Sequence, residues 1–120
     1  MHNKLVEILE ELNIPIGFQK FEGEAEEYII FNIYDDEDSN FFDNENLSET
    51  YYICINYWTT KKSKLDNYKK IKTLLKGYDF KYNSGKDIES DGAYGRSLTF
   101  IYENYLDEGE EKKWQKRKKY

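Results

Sequence analysis

A single histidine, His2, and a single cysteine, Cys54, limit the chemistry open to this 120-residue chain. His2 sits at a terminus expected to fray, so no Ser-His-Asp or Cys-His arrangement is readily built around it. One thiol cannot close an internal disulfide, which fits a reducing compartment or an assembly built in the cytosol. Cys54 lies mid-strand between Ile53 and Ile55 and is expected to be a buried small hydrophobe and not a nucleophile. No Cys or His spacing suits zinc, and no glycine run matches a Walker or dinucleotide fingerprint. The expectation is a protein with no catalytic residues, no cofactor, no metal and no small-molecule substrate. Long hydrophobic runs are missing too. No stretch approaches the ~18 apolar residues needed to cross a bilayer. The N-terminus runs straight into a charged pattern with Glu7, Glu10 and Glu11, so neither a membrane partner nor a secretion signal is expected.

Basic residues are scarce in the first part of the chain. Residues 1–50 hold 14 Asp/Glu and 2 Lys, a net of −12, while residues 51–120 hold 10 Asp/Glu and 16 Lys/Arg, a net of +6. Together they give the overall −6. Such asymmetry can steer identical copies head to side. It also fits two solvated faces of opposite sign. Aromatic residues, by contrast, are abundant: 12 Tyr, 7 Phe and 2 Trp. Tyrosine is favoured in strands and at interfaces, and a small β-rich core filled with Tyr accounts for the same excess. The length is that of one domain able to bury roughly two thirds of its unfolded surface.

Apolar periodicity places the elements. Leu5, Ile8, Leu9 and Leu12 form one stripe and predict a helix over residues 4–13, stopped by Asn13-Ile14-Pro15. Residues 28–34 read as a strand with Ile29, Phe31 and Ile33 on one face. Residues 51–59 read as a second strand. Ile53, Ile55 and Tyr57 share one face, and Tyr52, Cys54 and Trp58 the other. Apolar bulk on both faces implies a central strand or one covered by a partner.

A second helix is expected over 63–76, capped by Ser63 with Asp66 three residues on and stopped by Gly77. Residues 79–83 and 96–105 complete the strands, joined by a link rich in turn residues. The order is α-β-β-α-β-β. The expected fold is an α+β two-layer sandwich of about four mostly antiparallel strands with two helices on one face. Residues 1–106 form a single domain and 107–120 a charged C-terminal tail.

Residues 35–49 read as a long acidic loop between the first two strands, of the kind that is usually functional. Its carboxylates Asp35, Asp36, Glu37, Asp38, Asp43 and Glu45 offer oxygen ligands for calcium or magnesium, but no glycine lies among them as a calcium loop needs. A solvated loop is the expectation. Phe41, Phe42 and Leu47 in this acidic setting suit a tip that touches a partner, or aromatics that fold back onto the domain. In the basic tail, Trp114 could stack on a nucleic-acid base. An electrostatic arm against an acidic neighbouring subunit suits the acidic chain better, since residues 22–49 supply such a surface.

One ordered set of motifs resembles a known family. Ile14-Pro15-Ile16-Gly17-Phe18, Tyr28-Ile29-Ile30-Phe31, Phe42-Asp43-Asn44-Glu45, Tyr57-Trp58-Thr59-Thr60-Lys61 and Phe100-Ile101-Tyr102-Glu103 follow the pattern of phage and prophage tail terminator proteins. These are also called tail completion or head-tail joining proteins. The resemblance covers about residues 4–105. The chain departs from it at Glu22-Gly23-Glu24-Ala25-Glu26-Glu27, where many relatives carry a proline, and in the tail after residue 106.

The resemblance implies a non-enzymatic structural protein of the virion neck, assembled in the host cytoplasm. It implies a homo-oligomeric ring, usually a hexamer, at the head-proximal end of the tail tube. Its partners would be the major tail tube protein and the head-tail connector protein, with DNA passing through the ring but not specifically bound. Phe41, Phe42, Asp43, Asn44 and Trp114 are then the expected inter-subunit or tube-facing residues. The rival reading is an acidic immunity or antitoxin-type protein that neutralises a basic toxin.

Overall fold

The computed structural model describes residues 1–39 and 48–105. Helix α1 (His2–Leu9) forms where the stripe predicts and buries Leu5, Ile8 and Leu9. A 3-10 turn, Glu10–Leu12, extends it to Asn13, which ends the helix at φ 56°. Asparagine tolerates this left-handed conformation better than most residues. Pro15 then leads into strand β1 (Ile16–Phe18), which pairs parallel with strand β2 (Glu27–Ser39). A three-residue strand after a proline carries no period of its own. Only the ladder offered by β2 makes it one, and an edge is where a preceding proline is tolerated.

β2 pairs antiparallel with β3 (Ser48–Thr59). A 3-10 turn, Lys62–Asn67, leads into helix α2 (Tyr68–Gly77). Strands β4 (Lys81–Ser90) and β5 (Ala93–Tyr105) then pair antiparallel, and β5 also pairs with β3. The result is a five-stranded mixed sheet in the order β1-β2-β3-β5-β4, within an α+β fold. The expectation of four strands in the order α-β-β-α-β-β is corrected by β1.

Other local expectations also change. The supposed loop 35–49 is strand at both ends, since Asp35 pairs with Tyr52, Asp38 with Glu49 and Ser39 with Ser48. The strongly polar residues there hid the extension, and a bulge between Ile33 and Asp35 shifts the pattern by one residue. The turn-rich link after residue 83 is mostly β4, and the chain reverses only at Asp91-Gly92, where Gly92 has φ 74°. Ser63 does not cap α2. It falls inside the 3-10 turn, and neither start bears a side-chain cap. Gly77 is the last helical residue; the left-handed residue beyond it is Asp79, φ 69°, and the N–H groups of both Tyr78 and Phe80 reach the Leu75 carbonyl.

The core lies between the helices and one face of the sheet. Ile29 and Phe31 from β2, Ile53, Ile55 and Tyr57 from β3, and Leu98, Phe100 and Tyr102 from β5 alternate inward. They meet Leu5, Ile8 and Leu9 of α1 and Ile71 and Leu75 of α2, all essentially without solvent exposure. Polar ends are satisfied at the margins of this core. The Tyr57 hydroxyl donates to Glu27 Oε2, with the Lys64 carbonyl oxygen 3.2 Å away, and the Tyr78 hydroxyl donates to Glu11 Oε2.

Candidate interaction surface

With one sheet face sealed by the helices, the register fixes what the other presents. Tyr28 lies opposite Trp58, Ile30 opposite Asn56 and Asn32 opposite Cys54. Across β3 and β5, Trp58 faces Gly95, Cys54 faces Thr99 and Tyr52 faces Ile101. Lys86 and Ile88 extend this face onto β4. Tyr28, Ile30, Tyr52, Cys54, Trp58, Ile88 and Ile101 are all half-buried, and no described helix packs on them. Central strand β3 therefore carries apolar bulk on both faces while the described structure covers only one. Phe21 stacks on Tyr28 at 4.6 Å between ring centroids and shields one corner.

Trp58 can lie flat because its cross-strand neighbour is glycine. A Cβ on Gly95 would sit 2.7 Å from Trp58 Cε3 and 2.7 Å from Ile88 Cγ1. The indole thus spans β5 toward β4 and makes the face continuous across three strands.

The sheet runs on past the helical layer as an acidic arm. Tyr102 is still buried, stacked on Phe80 and lying under the Lys4 ammonium. Beyond it, Asp35 and Glu37 stand on the open face, opposite Tyr52 and Thr50, and Asp36 and Asp38 on the helix side, opposite Tyr51 and Glu49. All four are exposed. The Tyr52 hydroxyl donates to Glu37 Oε1 at 2.7 Å, which holds the Tyr52 proton above the ordinary tyrosine range. Tyr34, at the bulge, is 50% exposed beside Tyr52. At the opposite end of the sheet, Glu26 pairs with Lys64 at 2.7 Å and Lys61 at 3.4 Å, and its carboxyl is held below the usual range, chiefly by the Lys64 hydrogen bond.

Among the described residues, His2 and Cys54 lie on different parts of the fold. His2 touches the rings of Phe18 and Phe31. Cys54 is half-buried on the open face and not in the core, with its sulfur 3.5 Å from Asn56 Oδ1 and 3.5 Å from Ser97 Oγ. Neither neighbour is a base. Among the described residues no group of three or more His, Cys, Asp or Glu could hold a metal ion, and no helix is long and apolar enough to cross a membrane.

Phe41, Phe42, Asp43, Asn44 and Trp114, the interface residues expected from the sequence, lie outside the described residues. The face through Ile30, Trp58 and Ile101 was not singled out as a site. Its one sequence signal was the two-sided apolar character of residues 51–59. The chain matches no known family model, and no curated protein matches it.

Proposed function

We propose that the chain is a non-enzymatic tail terminator, a structural protein of the phage or prophage neck. It forms a ring at the head-proximal end of the tail tube, stops tube growth and joins the tail to the head. The observation that carries this reading is the open sheet face. A half-buried stretch of Tyr28, Ile30, Trp58 and Ile101 with no described cover is a surface for another protein, not for a small substrate. The ordered motifs from Ile14-Pro15 to Tyr102-Glu103 narrow the class of neighbour to the tail tube protein, the head-tail connector and further copies of the chain. A hexamer is the expected ring. The contact is made in the virion neck after assembly in the host cytoplasm, with DNA passing through unread.

The test is negative-stain electron microscopy of the purified protein mixed with tail tubes. Rings at one end of the tubes, together with arrested tube growth, are expected. Tubes that keep growing and never carry the protein would overturn the reading. A toxin gene beside the coding sequence, instead of tube and connector genes, would favour an immunity protein.

A further inference from the structure

The helix side of the protein carries a groove that the fold does not fill. It lies where the 3-10 turn Glu10–Leu12 meets α2 and is lined by Leu12, Lys69, Lys70, Thr73 and Leu74. Leu12 and Leu74 are half-buried at the fringe of the core and give it an apolar floor. Lys69 and Lys70 are exposed, and neither has a carboxylate partner among the described residues. The surrounding segment 62–77 holds six lysines and one acid, Asp66. An apolar floor inside a basic rim selects a ligand that is both apolar and acidic.

The acidic arm has that chemistry. Its described strands, 33–39, 48–53 and 101–105, contain six carboxylates, five tyrosines and no lysine or arginine. Asp35, Asp36 and Asp38 are exposed and make no ion pair among the described residues, and Tyr34 stands exposed beside them. The arm cannot fold back onto its own α2. The ladder is continuous from Asp35↔Tyr52 to Ser39↔Ser48 and from Tyr52↔Ile101 to Ser48↔Tyr105, so the arm continues the sheet away from the helices.

We infer that the acidic arm of one copy docks in the Leu12–Leu74 groove of a second copy, with Asp36 and Asp38, which share the helix-side face of the arm, set against Lys69 and Lys70. The contact rests on the self-assembly in the reading above and names the surfaces that meet. Arm and groove are different surfaces, so each copy can give one and receive one, which is the condition for a ring. The attraction acts between exposed charges and is screened within about 10 Å at 0.1 M salt.

Sedimentation velocity of the full-length chain tests the contact. It is run at low and high salt on the wild type, on K69E/K70E, on D36K/D38K and on an equimolar mixture of the two variants. The wild type is expected to associate at low salt and to weaken about tenfold or more at high salt. Each variant alone is expected to associate at least about tenfold more weakly, and the mixture to recover, because each reversed surface then meets its complement. The contact is overturned if the wild type is monomeric in every condition, if either variant associates as the wild type does, or if the mixture stays dissociated. Circular dichroism verifies each fold, and D36N/D38N replaces the arm variant should it not fold, with weakened association again expected. Tube capping is scored separately by electron microscopy. Copies that associate through arm and groove but never cap tubes leave the contact standing and overturn the tail reading. Capping indifferent to these substitutions overturns the contact alone.

Discussion

The indole of Trp58 rests against the backbone of Gly95, its registered partner on the neighbouring strand. The glycine is there for space, since an added Cβ would sit 2.7 Å from two indole carbons. Gly95→Ala must push the ring or Ile88 aside. Overpacking of this kind typically costs about 1–3 kcal/mol. Urea denaturation measures the loss, and a shifted Trp58 indole N–H resonance locates it.

The two sheet faces are expected to respond differently to truncation. Phe100→Ala, in the sealed core, should cost about 3–5 kcal/mol in thermal or urea unfolding. The double substitution Ile30→Ser/Ile101→Ser, on the open face, should cost no more than about 1 kcal/mol. It should nevertheless abolish capping of tail tubes in micrographs. Equal destabilisation by both would make the open face part of the folding core and not a contact surface.

Tyr57 sets an alkaline limit. Burial, reinforced by the Glu27 carboxylate that accepts its hydroxyl, holds its proton well above the ordinary tyrosine range. The folded protein keeps this proton at pH values where the unfolded chain has released it. The contribution is fully present below about pH 10 and is lost as the pH rises further. Urea titrations at increasing pH should show stability falling above that point. Tyr57→Phe should flatten the fall, at the cost of a lower plateau, because Glu27 then loses a donor.

Glu26 works at the other end of the pH scale. Its carboxyl is held low, first by the Lys64 hydrogen bond and further by Lys61. A depressed carboxylate stabilises the fold above its unfolded value near about pH 4 and loses that effect as the pH falls through its folded value. Glu26→Gln should therefore lower stability slightly near neutrality and leave the acid limb shallower. The group is exposed, so the change is small and salt should reduce it.

Arg96 ties α2 to the β4–β5 hairpin. Its guanidinium lies 4.7 Å over the Tyr68 ring and bonds Asp87 Oδ1 at 2.9 Å. Asp87 is 78% exposed in its side chain, so Asp87→Asn should cost less than about 1 kcal/mol. Arg96→Ala removes the ring contact and the packed side-chain stem as well and should cost about 1–2 kcal/mol. Thermal melts of the two variants give the comparison.

What could be read in the chain followed its periodicities. Leu5, Ile8 and Leu9 announced α1, and the alternation through Ile29, Phe31 and Ile33 announced β2. The same reasoning failed where pairing is not written locally. Asp35 to Asp38 looked like a loop because every residue is polar, yet cross-strand pairing with Tyr52 to Glu49 makes them strand. Ser84 and Gly85 looked like a turn, yet they are held in β4 by Thr99 and Leu98 of β5. The candidate surface was only half legible. Residues 51–59 showed that both faces of β3 are apolar, but not which face is left open.

The sequence by itself determined the α+β class, the two apolar helix stripes, the separation of charge, and the limit of one histidine and one cysteine. Each is a local or compositional property, readable without knowing what lies across the sheet. Only the tertiary structure decided that three residues after Pro15 become a strand, that Asp35 to Ser39 extend the sheet, and that the helices cover Ile53, Ile55 and Tyr57 and leave Trp58 and Ile101 open. Those outcomes depend on partners far along the chain. A ladder confers strand geometry on residues with no strand pattern, and two similar faces are told apart only by where the helices dock.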